Sequence, residues 1–372
     1  MRQSKECPLS HSHLSTVGAG RPAPSGSVTV RAPAKVNLHL GVGGRRPDGY
    51  HDVATVLQAV SLYDEIIATF REAMPGSGAI DAAGPLVTVE VAGEGADARA
   101  GAPAGAAGSA GGASSGGIGS GGARPALTAV PTDADNLAVR AALLLGRETG
   151  VRSGVHLALR KAIPVAAGMA GGSADAAGAL VACDALWGTG RSVEQLAQLA
   201  AQLGSDVAFP VLGGTALGTG RGEVLSPVAA RGEYHWVFAL ADGGLSTPAV
   251  YAEFDRLGYP PDREPTPPDA VLAALLTGDP VALGSALTND LEPAALRLRP
   301  SLRDVLDAGR ELGAVGAIVS GSGPTCAFLA TGAVGSVGLA AGLADLGICR
   351  AVRRAHGPVA GARGDGPPAG SG

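Results

Sequence analysis

A run of small residues over 164–174 limits most strongly what this chain can fold into. Apolar residues alternate with polar ones over 155–161 just before the run, which predicts a strand. After the run, apolar residues recur at helical spacing over 176–187, which predicts a helix. A glycine- and alanine-rich turn that leads into a helix presents free main-chain N–H groups and the positive end of the helix dipole. The segment is therefore predicted to bind phosphate, because its small side chains let an anion approach the main chain.

The run differs from the two commonest phosphate-binding loops. No Gly-Lys-Ser/Thr closes it, so it is not a Walker A motif. Gly168 and Gly171 are three residues apart and Ala170 lies between them, so the spacing of the dinucleotide fingerprint is missing as well. The alternative is a purely structural turn, in which Ser173 or Asp175 only caps the following helix.

Three stretches of the 372-residue chain lack the large apolar side chains that form a core. We expect disordered tails over 1–26 and 357–372, and a flexible Gly/Ala-rich insertion over about 92–125, because such segments cannot offset their ordering entropy. The rest of the chain is long enough for two folded domains.

Charge and composition exclude several classes of protein. A net charge of −5 and an aromatic content of 3% argue against nucleic-acid binding, which needs basic surfaces or stacking side chains. No apolar run is long enough for a membrane span and no signal peptide is recognised, so we expect a cytoplasmic protein. The cysteines have neither zinc-site nor disulfide spacing, which indicates a reducing compartment. They are Cys7, Cys183, Cys326 and Cys349.

The remaining periodicity predicts an α+β protein. Strand patterns in the first half follow one another through short turns, which predicts a mostly antiparallel sheet with helices. Four strands in the second half alternate with helices, which predicts a ferredoxin-like layer. The predicted strands cover 28–30, 36–40, 54–63, 64–70 and 86–91, and then 235–241, 315–320, 325–329 and 349–352.

Three segments together resemble the motifs of the GHMP kinase superfamily. They are Pro-Ala-Lys-Val-Asn-Leu at 33–38, the small-residue run with the helix start at 164–177, and Val-Ser-Gly-Ser-Gly-Pro-Thr at 319–325. The resemblance implies a two-domain fold, with a ribosomal-protein-S5-like N-terminal domain over 27–215 and a ferredoxin-like C-terminal domain over 216–356.

Further segments are similar to one branch of that superfamily. Arg-Pro-Asp-Gly-Tyr-His at 46–51, Gly-Ser-Asp-Val at 204–207 and Leu-Ser-Thr-Pro-Ala-Val-Tyr at 245–251 resemble kinases of a cytidine-diphosphate-linked methylerythritol. The implied reaction is ATP- and Mg²⁺-dependent phosphorylation of the 2-hydroxyl of 4-(cytidine 5'-diphospho)-2-C-methyl-D-erythritol, in non-mevalonate isoprenoid precursor biosynthesis. The implied protein binds this small molecule, neither nucleic acid nor membrane, and is a monomer or weak homodimer.

The resemblance assigns the chemistry to Lys35 and Asp206. Asp206 would abstract or orient the proton of the acceptor hydroxyl, and Lys35 would stabilise developing charge. The alternatives are a surface lysine with a solvated head and an aspartate that caps a helix after Gly204.

The resemblance also assigns binding residues, and no protein ligand to a metal is predicted. Lys161 is a further candidate for steadying phosphate, and Asn136 either reaches the nucleotide or caps a helix. Substrate binding falls to Asn37, Tyr50, His51, Thr247 and Tyr251, and ATP binding to Pro164, Val165, Ala166, Ala167, Gly168, Met169, Ala170, Gly171, Gly172, Ser173 and Ala174.

Two positions depart from the family pattern, and two other functions compete. Ala170 replaces a usual glycine, and its methyl is tolerated if φ is negative but costs stability or nucleotide fit if φ is positive. Ala208 replaces a usual proline after the Asp206 segment. The alternatives are another GHMP kinase, of the homoserine or mevalonate type, and a non-catalytic nucleotide-binding module on the same fold.

Overall fold

The computed structural model describes residues 26–72, 84–96, 130–260 and 262–364. The strands are β1 (Ser27–Arg45), β2 (His51–Arg71), β3 (Val87–Gly93), β4 (Gly154–Lys161), β5 (Thr215–Thr219), β6 (Val224–Pro227), β7 (Tyr234–Leu240), β8 (Thr288–Asn289), β9 (Gly316–Val319), β10 (Cys326–Ala330), β11 (Ala351–Gly357) and β12 (Arg363–Gly364). The helices are α1 (Leu137–Thr149), α2 (Gly171–Trp187), α3 (Val193–Leu203), α4 (Ala208–Leu212), α5 (Thr247–Arg256), α6 (Asp269–Thr277), α7 (Pro280–Ala286), α8 (Glu292–Leu298), α9 (Ser301–Glu311) and α10 (Ala333–Asp345). Within these described stretches, none of the helices is both long and apolar enough to span a bilayer.

The first sheet is built on two long antiparallel strands, β1 and β2. Its main order is β12-β1-β2-β4-β3, and β5 and β8 add to β2 and β1. The sequence predicts two short strands in place of each long one, which is wrong. The pairing instead continues through register shifts at Pro33/Ala34 and Asn37/His39, because bulges let a strand bend without ending.

Helix α2 packs directly on this sheet and fixes where the phosphate-binding run begins. Gly178 lies so close that a Cβ would stand 2.3 Å from Ile66 Cδ1. The predicted strand over 86–91 finds its partner in β4, and the two pair in parallel from Val87↔Val155 to Gly93↔Lys161. Strand β4 is therefore held on both sides and delivers Lys161 to a fixed place.

The second sheet is antiparallel and has the order β11-β7-β10-β9. Taken along the chain, helices separate β7 from β9 and β10 from β11, which is the predicted ferredoxin-like arrangement. Strand β11 covers 351–357 and not the predicted 349–352, because it pairs with β7 over its whole length, from Ala351↔Leu240 to Gly357↔Tyr234.

The chain after β11 returns to the first sheet. The sequence predicts a disordered tail from 357, but residues 358–364 make specific contacts. The N–H of Val359 donates to Ala59 O, the N–H of Ala362 donates to Pro210 O, and β12 pairs with β1. Main-chain hydrogen bonds, which a composition-based prediction does not see, hold this segment. The tail over 1–25, most of the predicted insertion and residues after 364 lie outside the described residues.

Candidate active site

The predicted phosphate loop runs from Pro164 to Ala170, between β4 and α2. Ala170 is the N-cap of α2 with φ 59° and ψ 36°, and alanine has no side-chain acceptor for the helix N–H groups. The first N–H groups of the 17-residue helix therefore point out of its end without an intrahelical partner. This is the arrangement that binds anions.

Two alanines of the loop adopt a backbone conformation that normally belongs to glycine. φ is 52° at Ala166 and 59° at Ala170. The Ala170 methyl is expected to be tolerated only at negative φ, so it costs stability or nucleotide fit here. A left-handed conformation costs a residue with a Cβ about 1–2 kcal/mol. Such strain persists where surrounding contacts over-determine the backbone, and it is concentrated at functional sites.

The third motif packs against this loop. Ser320 Oγ donates a hydrogen bond to Gly168 O at 3.1 Å. A Cβ on Gly168 would lie 2.0 Å from Ser320 O, so only glycine fits where the two segments meet. Motifs about 150 residues apart in the sequence therefore form one surface.

Lys35 of β1 joins the first motif to the other two. Its main-chain N–H donates to Met169 O at 3.3 Å, and its Nζ donates to Asn37 Oδ1 at 2.5 Å. The same Nζ lies 3.2 Å from the position that a Cβ would take on Gly321. Asn37 Nδ2 in turn donates to Thr55 Oγ1 at 2.9 Å, which fixes the amide. Lys35 is buried, so the surface-lysine alternative is wrong.

Asp206 acts electrostatically on two other predicted site residues. Burial lowers the pKa of Lys35, and the carboxylate of Asp206 partly opposes that shift. Burial and the charge of Asp206 also raise the pKa of Tyr251 to about 12. Asp206 itself is exposed, in the turn before α4, whose N-cap is Val207. The charge of Asp206 therefore acts on both Lys35 and Tyr251.

Two of the residues predicted to bind the cytidylated substrate, His51 and Tyr251, lie against each other. His51 is buried, its ring centroid lies 5.0 Å from that of Tyr251, and its Nε2 donates to Asp255 Oδ1 at 2.8 Å. The hydroxyls of Thr247 and Ser322 share a hydrogen bond of 2.8 Å, which ties α5 to the third motif.

Tyr50 is arranged differently from the other predicted site residues. It is 55% exposed, and the guanidinium carbon of Arg221 lies 5.0 Å from its ring centroid. More than half of the Tyr50 surface is therefore open to solvent.

Comparison with known proteins shows which family the chain belongs to. The family model described as "GHMP kinases N terminal domain" matches residues 136–214, and "GHMP kinases C terminal" matches 271–339. The chain is 54% identical over 336 residues to the 4-diphosphocytidyl-2-C-methyl-D-erythritol kinase of Thermobifida fusca (strain YX), covering 90% of this chain and 97% of the relative. The chain belongs to the 4-diphosphocytidyl-2-C-methyl-D-erythritol kinase family.

Solved structures place this family within the wider fold. A crystal structure of 4-(cytidine 5'-diphospho)-2C-methyl-D-erythritol kinase matches with a TM-score of 0.64 and 30% identity, over 88% of this chain and 98% of that one. Homoserine kinase from Cytophaga hutchinsonii matches with a TM-score of 0.60 over 94% of this chain and 100% of that one. It is only 18% identical, so it shows the fold alone. The predicted family and α+β fold are confirmed, and the chain is a small-molecule kinase. The homoserine and mevalonate alternatives are not favoured.

Asn136 and Lys161, which the sequence suggested as nucleotide or phosphate ligands, have protein partners instead. Asn136 is the N-cap of α1 and accepts from the N–H of Ala138, so the capping alternative accounts for it. Lys161 does not face outward from the phosphate loop. Its ammonium is buried between Asp64 and Asp175, so Asp175 binds a lysine rather than capping α2.

Some residues of this neighbourhood were missed by sequence reasoning. Asp255 stands four residues after Tyr251 on α5, and that i, i+4 spacing was the available signal that both share a helix face. Asp64 carried no local signal, because its partner Lys161 is far away in the sequence. Ser322 belongs to the third motif, but its contact with Thr247 could not be read from the motif.

Proposed function

We propose that this chain transfers the γ-phosphoryl group of ATP to the 2-hydroxyl of 4-(cytidine 5'-diphospho)-2-C-methyl-D-erythritol, a step of non-mevalonate isoprenoid precursor synthesis. The observation that carries the proposal is the meeting of three distant motifs at Lys35. Its main-chain N–H contacts the phosphate loop, and its ammonium lies beside Gly321 of the third motif. The predicted cytoplasmic location and the monomeric or weakly dimeric state belong to the same proposal.

The main-chain N–H groups of residues 164–174 are proposed to hold the ATP phosphates. The uncapped start of α2 supports this. Across the described stretches no group of three or more acidic, histidine or cysteine side chains forms a metal site. Mg²⁺ in such enzymes is held largely by substrate phosphates and water, so no protein ligand is proposed for it. When bound, Mg²⁺ supplies charge neutralisation at the phosphates.

Lys35 and Asp206 are proposed to serve the acceptor hydroxyl. The exposed carboxylate of Asp206 is able to accept or orient the hydroxyl proton. Burial lowers the pKa of Lys35, while arriving phosphate charge favours its ammonium form. The ammonium then stabilises charge in the transition state without having to be reoriented.

The cytidine group is proposed to lie against Tyr251 and His51, with the exposed ring of Tyr50 covering it. Stacking contributes about 1–3 kcal/mol per base. His51 shares its Nε2 hydrogen bond with Asp255. A tautomer with an unprotonated Nδ1 is proposed to accept a hydrogen bond from the amino group of cytosine. Asn37 and Thr247 are assigned to the sugar-phosphate part of this substrate.

The test is a kinase assay with ATP and the cytidylated substrate, run on the wild type and on Asp206→Asn. We expect kcat to fall by about two orders of magnitude or more, while the Kd for a non-hydrolysable ATP analogue stays within about twofold because the loop is untouched. Asp345→Asn, an exposed aspartate at the end of α10, is the matched control. Wild-type turnover in Asp206→Asn would remove the role assigned to Asp206.

The same assay separates the competing functions. Homoserine and mevalonate are offered as acceptors beside the cytidylated substrate. Preference for either would overturn the proposed substrate. ATP binding without turnover of any acceptor would favour the non-catalytic module.

A further inference from the structure

A buried bridge of three ionisable side chains lies under the phosphate loop. Lys161 Nζ donates to Asp64 Oδ2 at 2.5 Å and to Asp175 Oδ2 at 2.6 Å. None of the three side chains is more than 3% exposed. We call these residues, Asp64, Lys161 and Asp175, the buried bridge.

The bridge connects the two ends of the loop. Asp64 Oδ1 accepts the main-chain N–H groups of Ala162 at 2.6 Å and Ile163 at 2.8 Å, the two residues before Pro164. Asp175 lies on α2, immediately after the last residue assigned to ATP binding. One lysine ammonium therefore ties the entry of the loop to its exit, through carboxylates from two different elements.

Stability alone does not explain why these three residues form the buried bridge. Removing an ammonium and two carboxylates from water is costly, and apolar side chains of similar volume often stabilise a fold as well. Asp175 Oδ1 is buried and has no hydrogen-bond partner among the described residues. An expensive and incompletely satisfied group of charges suggests a function in positioning.

The backbone of the phosphate loop is in a conformation that it would not keep without outside contacts. Ala166 and Ala170 both hold positive φ, and residues with a Cβ stay in that region only where the surroundings impose it. Without a connection between its ends, the loop is expected to relax towards negative φ at these alanines. The N–H groups would then no longer converge on a phosphate.

We propose that Lys161, Asp64 and Asp175 are positioning residues that hold the loop in its phosphate-binding conformation. The inference rests on the proposed function, in which this loop binds ATP. Its consequence is selective: loss of the bridge weakens the ATP side of the reaction and leaves the acceptor side unchanged.

The decisive variant is the double substitution Lys161→Met with Asp175→Leu. It removes the connection but replaces the buried charges with apolar side chains, which buried ion pairs often tolerate. Asp64 keeps its two main-chain donors. The control is Arg160→Met, beside Lys161 on β4, which breaks the exposed ion pair of Arg160 with Glu65 of β2.

We expect the double variant to raise the KM for ATP and the Kd for a non-hydrolysable ATP analogue at least about tenfold. The Kd for cytidine diphosphate, the probe of the acceptor side, stays within about twofold because that site is untouched. Arg160→Met keeps wild-type values. Unchanged ATP affinity in a folded double variant would overturn the inference. Failure of the wild type to bind the analogue would instead overturn the proposed function.

A second variant decides the matter if the double variant does not fold. Asp175→Asn keeps the shape of the side chain and removes its ionisable carboxyl group. Amide hydrogen exchange over residues 165–174 is then compared with exchange in β2. Faster exchange confined to the loop supports the inference, and wild-type exchange throughout would refute it.

Discussion

The contact between Gly168 and the third motif leads to a prediction for Gly168→Ala. The new Cβ would lie 2.0 Å from Ser320 O and 3.2 Å from Gly323 N. Both contacts are to main-chain atoms, which cannot rotate away as a side chain can. The φ of Gly168 is 74°, so the alanine is strained even before it meets its neighbours.

The size of the effect follows from these two causes. Left-handed backbone costs alanine about 1–2 kcal/mol, and overpacking of a close contact costs about 1–3 kcal/mol. We therefore expect the free energy of unfolding to fall by about 2–5 kcal/mol. For a domain of this size, Tm should fall by roughly 5 °C or more. The loop should also move away from the turn at Ser320, which raises the KM for ATP.

Thermal unfolding followed by circular dichroism is the measurement, with Gly172→Ala as the matched control. A Cβ on Gly172 would meet only ordinary contact at 3.8 Å among the described residues, and its φ lies outside the left-handed region. Alanine is also favoured over glycine within a helix by up to about 1 kcal/mol, so this variant should melt at or above the wild-type Tm. Equal Tm values for Gly168→Ala and Gly172→Ala would refute the reasoning.

Three more predictions follow from single contacts. Ala170→Gly should raise the free energy of unfolding, measured by urea titration, by roughly 0.5–1 kcal/mol. The reason is that relief of the strained φ of 59° exceeds the entropy that glycine adds to the unfolded chain. A free energy of unfolding below that of the wild type would contradict the strain. The pKa of Lys35 is lowered, so the unfolded chain binds more protons between that pKa and 10.5, and stability should rise with pH there. Lys35→Met should remove this rise, which urea titrations at several alkaline pH values would detect. Asp255→Asn should remove the hydrogen bond that fixes the tautomer of the His51 ring, and ¹⁵N NMR of the ring would report the change. The KM for the cytidylated substrate should rise, while the KM for ATP should not. An unchanged ring spectrum would rule out the orienting role of Asp255.

Much of the local structure was predictable because it depends on neighbours in the chain. The strand before Pro164 and the helix after Ala170 follow from periods of two and 3.6 residues. Asn136 had the residue type of an N-cap, and it is one. The three motifs identified the family because each is a short, contiguous pattern, and the comparisons confirm it.

Only the tertiary structure decided how those segments are used. The sequence around Lys161 suggested a phosphate ligand, but its partners Asp64 and Asp175 come from two other elements. The positive φ of Ala170 is imposed by the surrounding tertiary structure, since alanine in an unconstrained chain avoids this conformation. Periodicity reports which face of an element is buried; it does not report which distant side chain shares that burial. Charge partners and imposed backbone conformations therefore had to come from the fold.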